Sequence, residues 1–189
     1  MKVVKLAAIA VTVAVLQGCV AAAVVGVAGG ATVIADKRSV GTQLDDQRIE
    51  LDAYAKLSEH QGLSDNANLQ ITSMNGSVLV VGQAPNTYLR DEAIKIIKAI
   101  DGVDQIHNQI RLGNKVSIAT KSNDVWLTSK VKAALFKSDK LDATNIKVVT
   151  ENAEVFLMGL VSRNQADTAV EITRNIGGVN RVVKAFEYQ

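Results

Sequence analysis

The chain has 189 residues, 48% of them hydrophobic but only 4% aromatic, with 21 basic and 19 acidic side chains, two histidines and one cysteine. A single cysteine excludes an internal disulfide, and a formal charge of +2 lacks the strong basic excess expected of a nucleic-acid-binding protein. This length suits one domain of ordinary size or two small ones.

Lys2 and Lys5 open the chain, eleven apolar or small residues follow from Leu6 to Leu16, and the stretch closes on Leu16-Gln17-Gly18-Cys19. A basic start, a short apolar run and small residues at its end are the order of a secretory signal peptide. Leu-x-Gly-Cys resembles the bacterial lipobox, in which the cysteine sulfur is diacylated and the chain is cut just before it. The resemblance implies a signal peptide over 1–18, lipid attachment at Cys19 and a membrane anchor made of acyl chains. The competing reading is a buried free cysteine in an uncleaved signal anchor. Without Lys2 and Lys5 the mature chain balances 19 basic against 19 acidic residues.

Val20 to Ala35 is a second apolar run of sixteen residues, short of the roughly 20 that span a bilayer. With the residues after it, to position 44, it reads as a lipidated N-terminus and small-residue tether. The small residues around Gly26 and Gly30 suit close packing on a helix or at a membrane surface, or a sticky tether with no fixed structure. Gly26-x-x-Gly29-Gly30 lacks the strand–turn–helix setting of a dinucleotide fingerprint.

The remainder repeats with a period of about 77 residues. Asn68-Leu69-Gln70-Ile71 aligns with Asn145-Ile146-Lys147-Val148. Asn75 to Gly82 aligns with Asn152 to Gly159, and Ala99 to Val103 with Asn175 to Val179. Two copies are too few for a solenoid, so the expectation is two small tandem domains, over 45–113 and 114–189. Each copy reads as helix, strand, strand, helix, strand. Ile49, Ala53 and Leu57 mark the core face of the first helix, and Leu127, Val131 and Leu135 that of its counterpart. Leu69 and Ile71, then Val78 and Val80, alternate as in half-buried strands. Asn75-Gly76 between them signals a tight hairpin; Glu151-Asn152-Ala153-Glu154 predicts a looser one in the second copy. Ala93, Ile96, Ile97 and Ile100 line the second helix, matched by Ala169, Ile172, Thr173 and Ile176. Asp101-Gly102 and Gly177-Gly178 suit left-handed helix ends, and strands follow to Leu112 and Tyr188. Two helices layered on a three-stranded sheet are the simplest burial of these faces, an α+β fold.

The unit, with its Val-x-Leu-x-Gly strand end and its helix-ending Gly-Val, resembles a BON domain. Two such units behind a lipobox, with Arg38 to Gln43 and Asp45-Asp46 leading into the first, resemble the dual-BON-domain outer-membrane lipoproteins, also called division and outer membrane stress-associated lipid-binding proteins. The resemblance implies αββαβ units and binding of anionic, phosphatidylglycerol-like phospholipid on the inner face of the outer membrane. It also implies support of envelope integrity and action at the division site. Val20 after the cysteine, in place of the aspartate linked with inner-membrane retention, favours a periplasm-facing outer-membrane location.

The copies differ in charge. Residues 45–113 hold six basic and ten acidic side chains, a net of −4; residues 114–189 hold eleven and eight, a net of +3. An anionic surface attracts nearby lysines by about 1 kcal/mol each, so the second copy is the expected lipid reader. Trp126, the only tryptophan, aligns with Arg48. On a helix, Trp126, Lys130, Ala133 and Lys137 share a face adjoining the core stripe, with Lys132 adding charge. An indole beside lysines suits an interfacial helix, and the resemblance likewise implies that this helix meets lipid. Phe136 either widens that contact or enters the core. The bland alternative is a tryptophan packed on the sheet above a solvated lysine face.

No enzyme signature emerges: no nucleophile elbow, no phosphate-cradling loop, and no cysteine or metal-spaced partner near His60 or His107. No cofactor and no metal are expected. Asp45-Asp46 reads as helix N-capping. The rival functional reading is a protein-interaction module in which the acidic first copy or the basic helix docks an outer-membrane or septal partner.

Overall fold

The computed structural model describes residues 38–188; the signal peptide, Cys19 and the run from Val20 to Ala35 lie outside them. The first copy comprises α1 (Val40–Glu59), the short α2 (Gln61–Asn66), β1 (Asn68–Met74), β2 (Ser77–Ala84), α3 (Thr87–Lys98) and β3 (Gln105–Leu112). The second comprises α4 (Ile118–Phe136), a 3₁₀ turn (Ala143–Asn145), β4 (Ile146–Glu151), β5 (Glu154–Val161), α5 (Arg163–Arg174) and β6 (Arg181–Tyr188). Each sheet has its hairpin antiparallel and its last strand parallel to the middle one, in the orders β1-β2-β3 and β4-β5-β6. The parallel pairs are joined through α3 and α5, as a parallel crossover requires. This is the expected α+β arrangement, twice over.

The helix faces read from spacing are the buried ones. Ile49, Ala53 and Leu57 of α1 close over Ile71, Val78 and Val80, with Ala93 and Ile97 of α3 alongside. Leu127, Val131 and Leu135 of α4 close over Val148, Val155 and Leu157, with Ala166 and Ala169 of α5. α1 begins at Val40, inside the stretch expected to be tether.

The strands depart from the half-buried expectation. Leu79 and Val81 of β2, whose side chains leave the first helix layer, form one buried cluster with Met74 and with Val149, Phe156, Met158 and Ala185 of the second copy. The two sheets thus stack face to face, giving four layers: helices, sheet, sheet, helices. Val78-Leu79-Val80-Val81 and Val155-Phe156-Leu157-Met158 are continuous apolar runs because both faces of each central strand are dry. At the margin of this interface the buried Gln83 side chain donates to the Glu151 carboxylate and accepts from the Val116 backbone N–H. Burial pushes the Glu151 carboxyl above its ordinary range, opposed by the Gln83 bond and reinforced by the nearby Asp124 charge.

Two expectations about capping and turns are corrected. Asp45-Asp46 does not cap a helix. Ser39 does, its Oγ accepting from Thr42 N, and Asp46 lies about two turns further along, buried. Its carboxylate accepts from Ser73 Oγ and from the backbone N–H groups of Asn75 and Gly76, and is paired with Arg38. Burial alone would raise its pKa; the four donors outweigh that and hold it below the ordinary carboxylate range. Asp124 does the same for the second hairpin, accepting from Asn152 N and Ala153 N, each at 2.8 Å. That hairpin is as tight as the first. Asn152 and Ala153 take φ of 50° and 60°, as Asn75 and Gly76 take 53° and 76°, because the aspartate beneath pulls both amides into one two-residue turn.

Gly82 and Gly159 end the segments Val78-x-Val80-x-Gly82 and Val155-x-Leu157-x-Gly159 for a steric reason. A Cβ at Gly82 would lie 2.0 Å from the Asn68 carbonyl oxygen, and one at Gly159 2.2 Å from that of Asn145.

Edge strand β1 is closed by α1. Asp46, Glu50 and Tyr54, spaced four apart and so stacked on one helical row, accept from the outward N–H groups of Asn75, Ser73 and Ile71. This is how an exposed sheet edge is blunted. It also gives two acidic residues of the first copy a structural role.

Candidate functional site

Helix α4 is placed by Ser117, whose Oγ caps its start through Thr120 N, and by its core stripe. Packing of Leu127, Val131 and Leu135 turns the opposite side of the helix to solvent. There Trp126 is 58% exposed. Of the other residues selected from sequence, Ala133, Lys132 and Lys137 are exposed and Lys130 is half-buried. Phe136 stands outside the core at 46% exposure.

The structure adds residues that the sequence reading passed over. Ile118 and Val125 are 84% and 69% exposed, on the same outer face as Phe136. Spacings of seven and eleven residues, close to whole turns of a 3.6-residue helix, were the available signal. Lys121, at the flank beside Lys132, is also exposed. The outer face of α4 is thus a largely apolar ridge of Ile118, Val125, Trp126, Ala133 and Phe136, interrupted by the exposed Ser122 and Ser129. Lys121 and Lys132 border one side, Lys130 and Lys137 the other.

Lys130 is not equivalent to the other lysines. Its ammonium lies 3.8 Å from the Trp126 ring centroid and donates to the Gly177 carbonyl at 2.7 Å. In the first copy the aligned carbonyl, that of Asp101, is taken by Arg48, which also pairs with Asp52. Trp126 stands where Arg48 stands and Lys130 where Asp52 does. One exchange therefore keeps the helix tied to the loop beneath it and replaces an exposed ion pair with an indole held under a cation.

His60 caps α2 through Nδ1, accepting from Leu63 N. His107 is within 3.2 Å of Ser77 Oγ, and burial lowers its pKa against the pull of Glu187. Both are structural. Among the described residues no group of three or more His, Cys, Asp or Glu is placed to hold a metal, and no helix is long and apolar enough to cross a membrane.

The BON domain family model matches residues 45–114 and 123–189. Over 173 residues the chain is 39% identical to the outer membrane lipoprotein DolP of Haemophilus influenzae, spanning 92% of this chain and 90% of that one. It is 40% identical over 153 residues to a 21 kDa hemolysin of Actinobacillus pleuropneumoniae, spanning 81% and 79%. It is also 27% identical over 156 residues to the osmotically-inducible protein Y of Escherichia coli, spanning 81% and 77%. With two copies of the αββαβ unit and a matching relative along nearly its full length, the chain belongs to the BON-domain family as one of its two-domain outer-membrane lipoproteins.

Proposed function

We propose that this lipoprotein reads anionic phospholipid, of phosphatidylglycerol type, on the periplasmic face of the outer membrane through the outer face of α4. In this reading it supports envelope integrity and acts at the division site as a binding protein, with no catalytic step. The observation that carries the reading is the exposed Trp126 on an apolar ridge bordered by lysines. An indole partitions to headgroup depth while flanking ammonium groups reach phosphates.

Magnitudes divide the labour. Acyl chains at Cys19 supply stable attachment, since two anchoring signals suffice where one is marginal. α4 then need not hold the protein at the membrane; lysines at about 1 kcal/mol each decide where on it the domain rests. Lys132 and Lys137 contribute most, because the ammonium of Lys130 is already shared between an indole and a carbonyl.

The test mixes the acyl-free chain from Asp36 to Gln189 with vesicles containing or lacking phosphatidylglycerol and follows Trp126 emission. The expected result is a blue shift with anionic vesicles only, weakened by salt. No shift on either vesicle would overturn the reading and leave the acyl chains as the membrane contact. In the intact lipoprotein, Trp126→Glu is expected to abolish enrichment on anionic lipid while leaving membrane fractionation unchanged.

A further inference from the structure

The two copies close one sheet edge and leave the other open. In the first copy Glu50 and Tyr54 accept from the outward N–H groups of Ser73 and Ile71. Lys147, from the other copy, fills the remaining space by reaching both the Ser73 carbonyl and the Glu50 carboxylate. By register, Val148 and Thr150 of β4 occupy the places of Ile71 and Ser73. Val148 opposes Leu157 as Ile71 opposes Val80, and Thr150 opposes Val155 as Ser73 opposes Val78.

Their closures are gone. Thr128 stands where Glu50 stands and is too short to reach over the edge; its hydroxyl meets Thr150 Oγ1 at 2.7 Å instead. Lys132, exposed, stands where Tyr54 stands, and a lysine has no acceptor to offer an N–H. Gln70 stands where Lys147 stands. No side chain among the described residues takes the outward N–H of Val148 or Thr150. The result is a groove of about 580 Å³ between α4, the β4 edge and the start of β1, with Lys121 and Lys132 on its rim. Val148 and Thr150 line its floor and are themselves buried, so the β4 edge lies at the bottom of the groove.

We propose that the open edge of β4 is a docking strand for an extended acidic segment of a partner protein, which adds to the second sheet as a fourth strand. Two features of the groove select this occupant. Successive outward N–H and C=O groups on an edge strand are matched by another extended backbone, the general mode of β-strand addition. Lys121 and Lys132 replace Gln43 and Tyr54 of the closed copy on the rim, while Asp124 and Glu151 deeper in the groove are already bonded to the hairpin amides and to Gln83, so the exposed charge over this edge is positive and suits carboxylates on alternate positions of the incoming strand. The closed copy shows which chemistry satisfies the edge: the N–H groups there are met by carboxylate and phenol oxygens carried on the chain's own helix. This assignment shares Lys121 and Lys132 with the border of the outer face of α4 but rests on the unclosed β4 edge, which the phospholipid reading does not use.

The experiment titrates the peptide acetyl-TEVEVET-amide into the ¹⁵N-labelled full-length lipoprotein in zwitterionic detergent micelles. The amide resonances of Val148 and Thr150 are the readout. Saturable shifts at these two amides are expected. They should be absent with the same peptide N-methylated at alternate residues, and with a version carrying lysine for glutamate. Thr128→Glu, which restores the closure found in the first copy, is expected to weaken binding at least roughly tenfold, the weight of a competing charge-assisted hydrogen bond. Thr128→Gln controls for the added charge and should weaken it as well. The Trp126 response of the Thr128→Gln variant to phosphatidylglycerol vesicles should persist and shows that the domain is folded. Three results would overturn the proposal: no shift at millimolar peptide, equal binding of the N-methylated peptide, or shifts of these amides produced by anionic micelles and not by peptide.

Discussion

Asp46 and Asp124 show how one residue type does the same work twice. Each lies buried beneath a hairpin and gathers its two central amides, so that Asn152 and Ala153 adopt the positive φ of Asn75 and Gly76. Ala153 lacks the freedom of glycine, and a side chain in that region costs about 1–2 kcal/mol. Ala153→Gly is therefore expected to stabilise the chain by roughly 0.5–1 kcal/mol, visible as a raised urea midpoint with unchanged slope. Gly159→Ala should do the opposite, by about 3 kcal/mol or more, because its Cβ would meet a backbone carbonyl that has nowhere to move. Asp46 also sets an acid limit. Its folded pKa is depressed, so its contribution is complete above the unfolded pKa and is lost as pH falls through the folded value. Asp46→Asn should flatten the acid side of the stability profile.

At the scale of the element, α1 and α4 are one helix design used differently. Both bury the same stripe and anchor the same hairpin. α1 then spends Glu50 and Tyr54 on its sheet edge, whereas α4 carries Thr128 and Lys132 there and presents Trp126 in place of Arg48. Lys132→Gln with Lys137→Gln is expected to weaken binding to phosphatidylglycerol vesicles by roughly 2 kcal/mol, about thirtyfold. Lys130→Gln should cost less in affinity and instead alter Trp126 emission, since it removes the cation over the ring. Equal losses from all three lysines in vesicle co-sedimentation would contradict that ranking.

At the scale of the whole molecule, the stacked sheets join the two BON domains through one buried cluster. Phe156, Leu79 and Met158 are shared between them, so calorimetry should show one unfolding transition. Phe156→Ala should cost roughly 3–5 kcal/mol while sparing neither domain. Glu151 adds a pH dependence of opposite sign to that of Asp46. Its folded pKa is raised, so the folded state holds a proton that the unfolded chain has released, and stability falls as pH rises through that window. Glu151→Gln is expected to match the parent in thermal stability below the window and to exceed it above. A second reading of the same data follows: loss of cooperativity in Phe156→Ala would show the interface, more than either core, to be what couples the copies.

Much of this was legible in the residues themselves. The period of 77, the stripes of Ile49–Ala53–Leu57 and Leu127–Val131–Leu135, and Asn75-Gly76 determined two αββαβ units, because helix and hairpin signals are local and recur in both copies. Trp126 among lysines marked one helix for attention by composition alone. The stacking of the sheets was decided only in three dimensions. Leu79, Val81, Phe156 and Met158 look like ordinary strand residues until a second sheet covers them. So were the outward turn of Ile118, Val125 and Phe136, the burial of Asp46, and the open edge at Val148 and Thr150. Each depends on which neighbour reaches a given atom, and backbone donors on a sheet edge leave no trace in the identity of the residues that carry them.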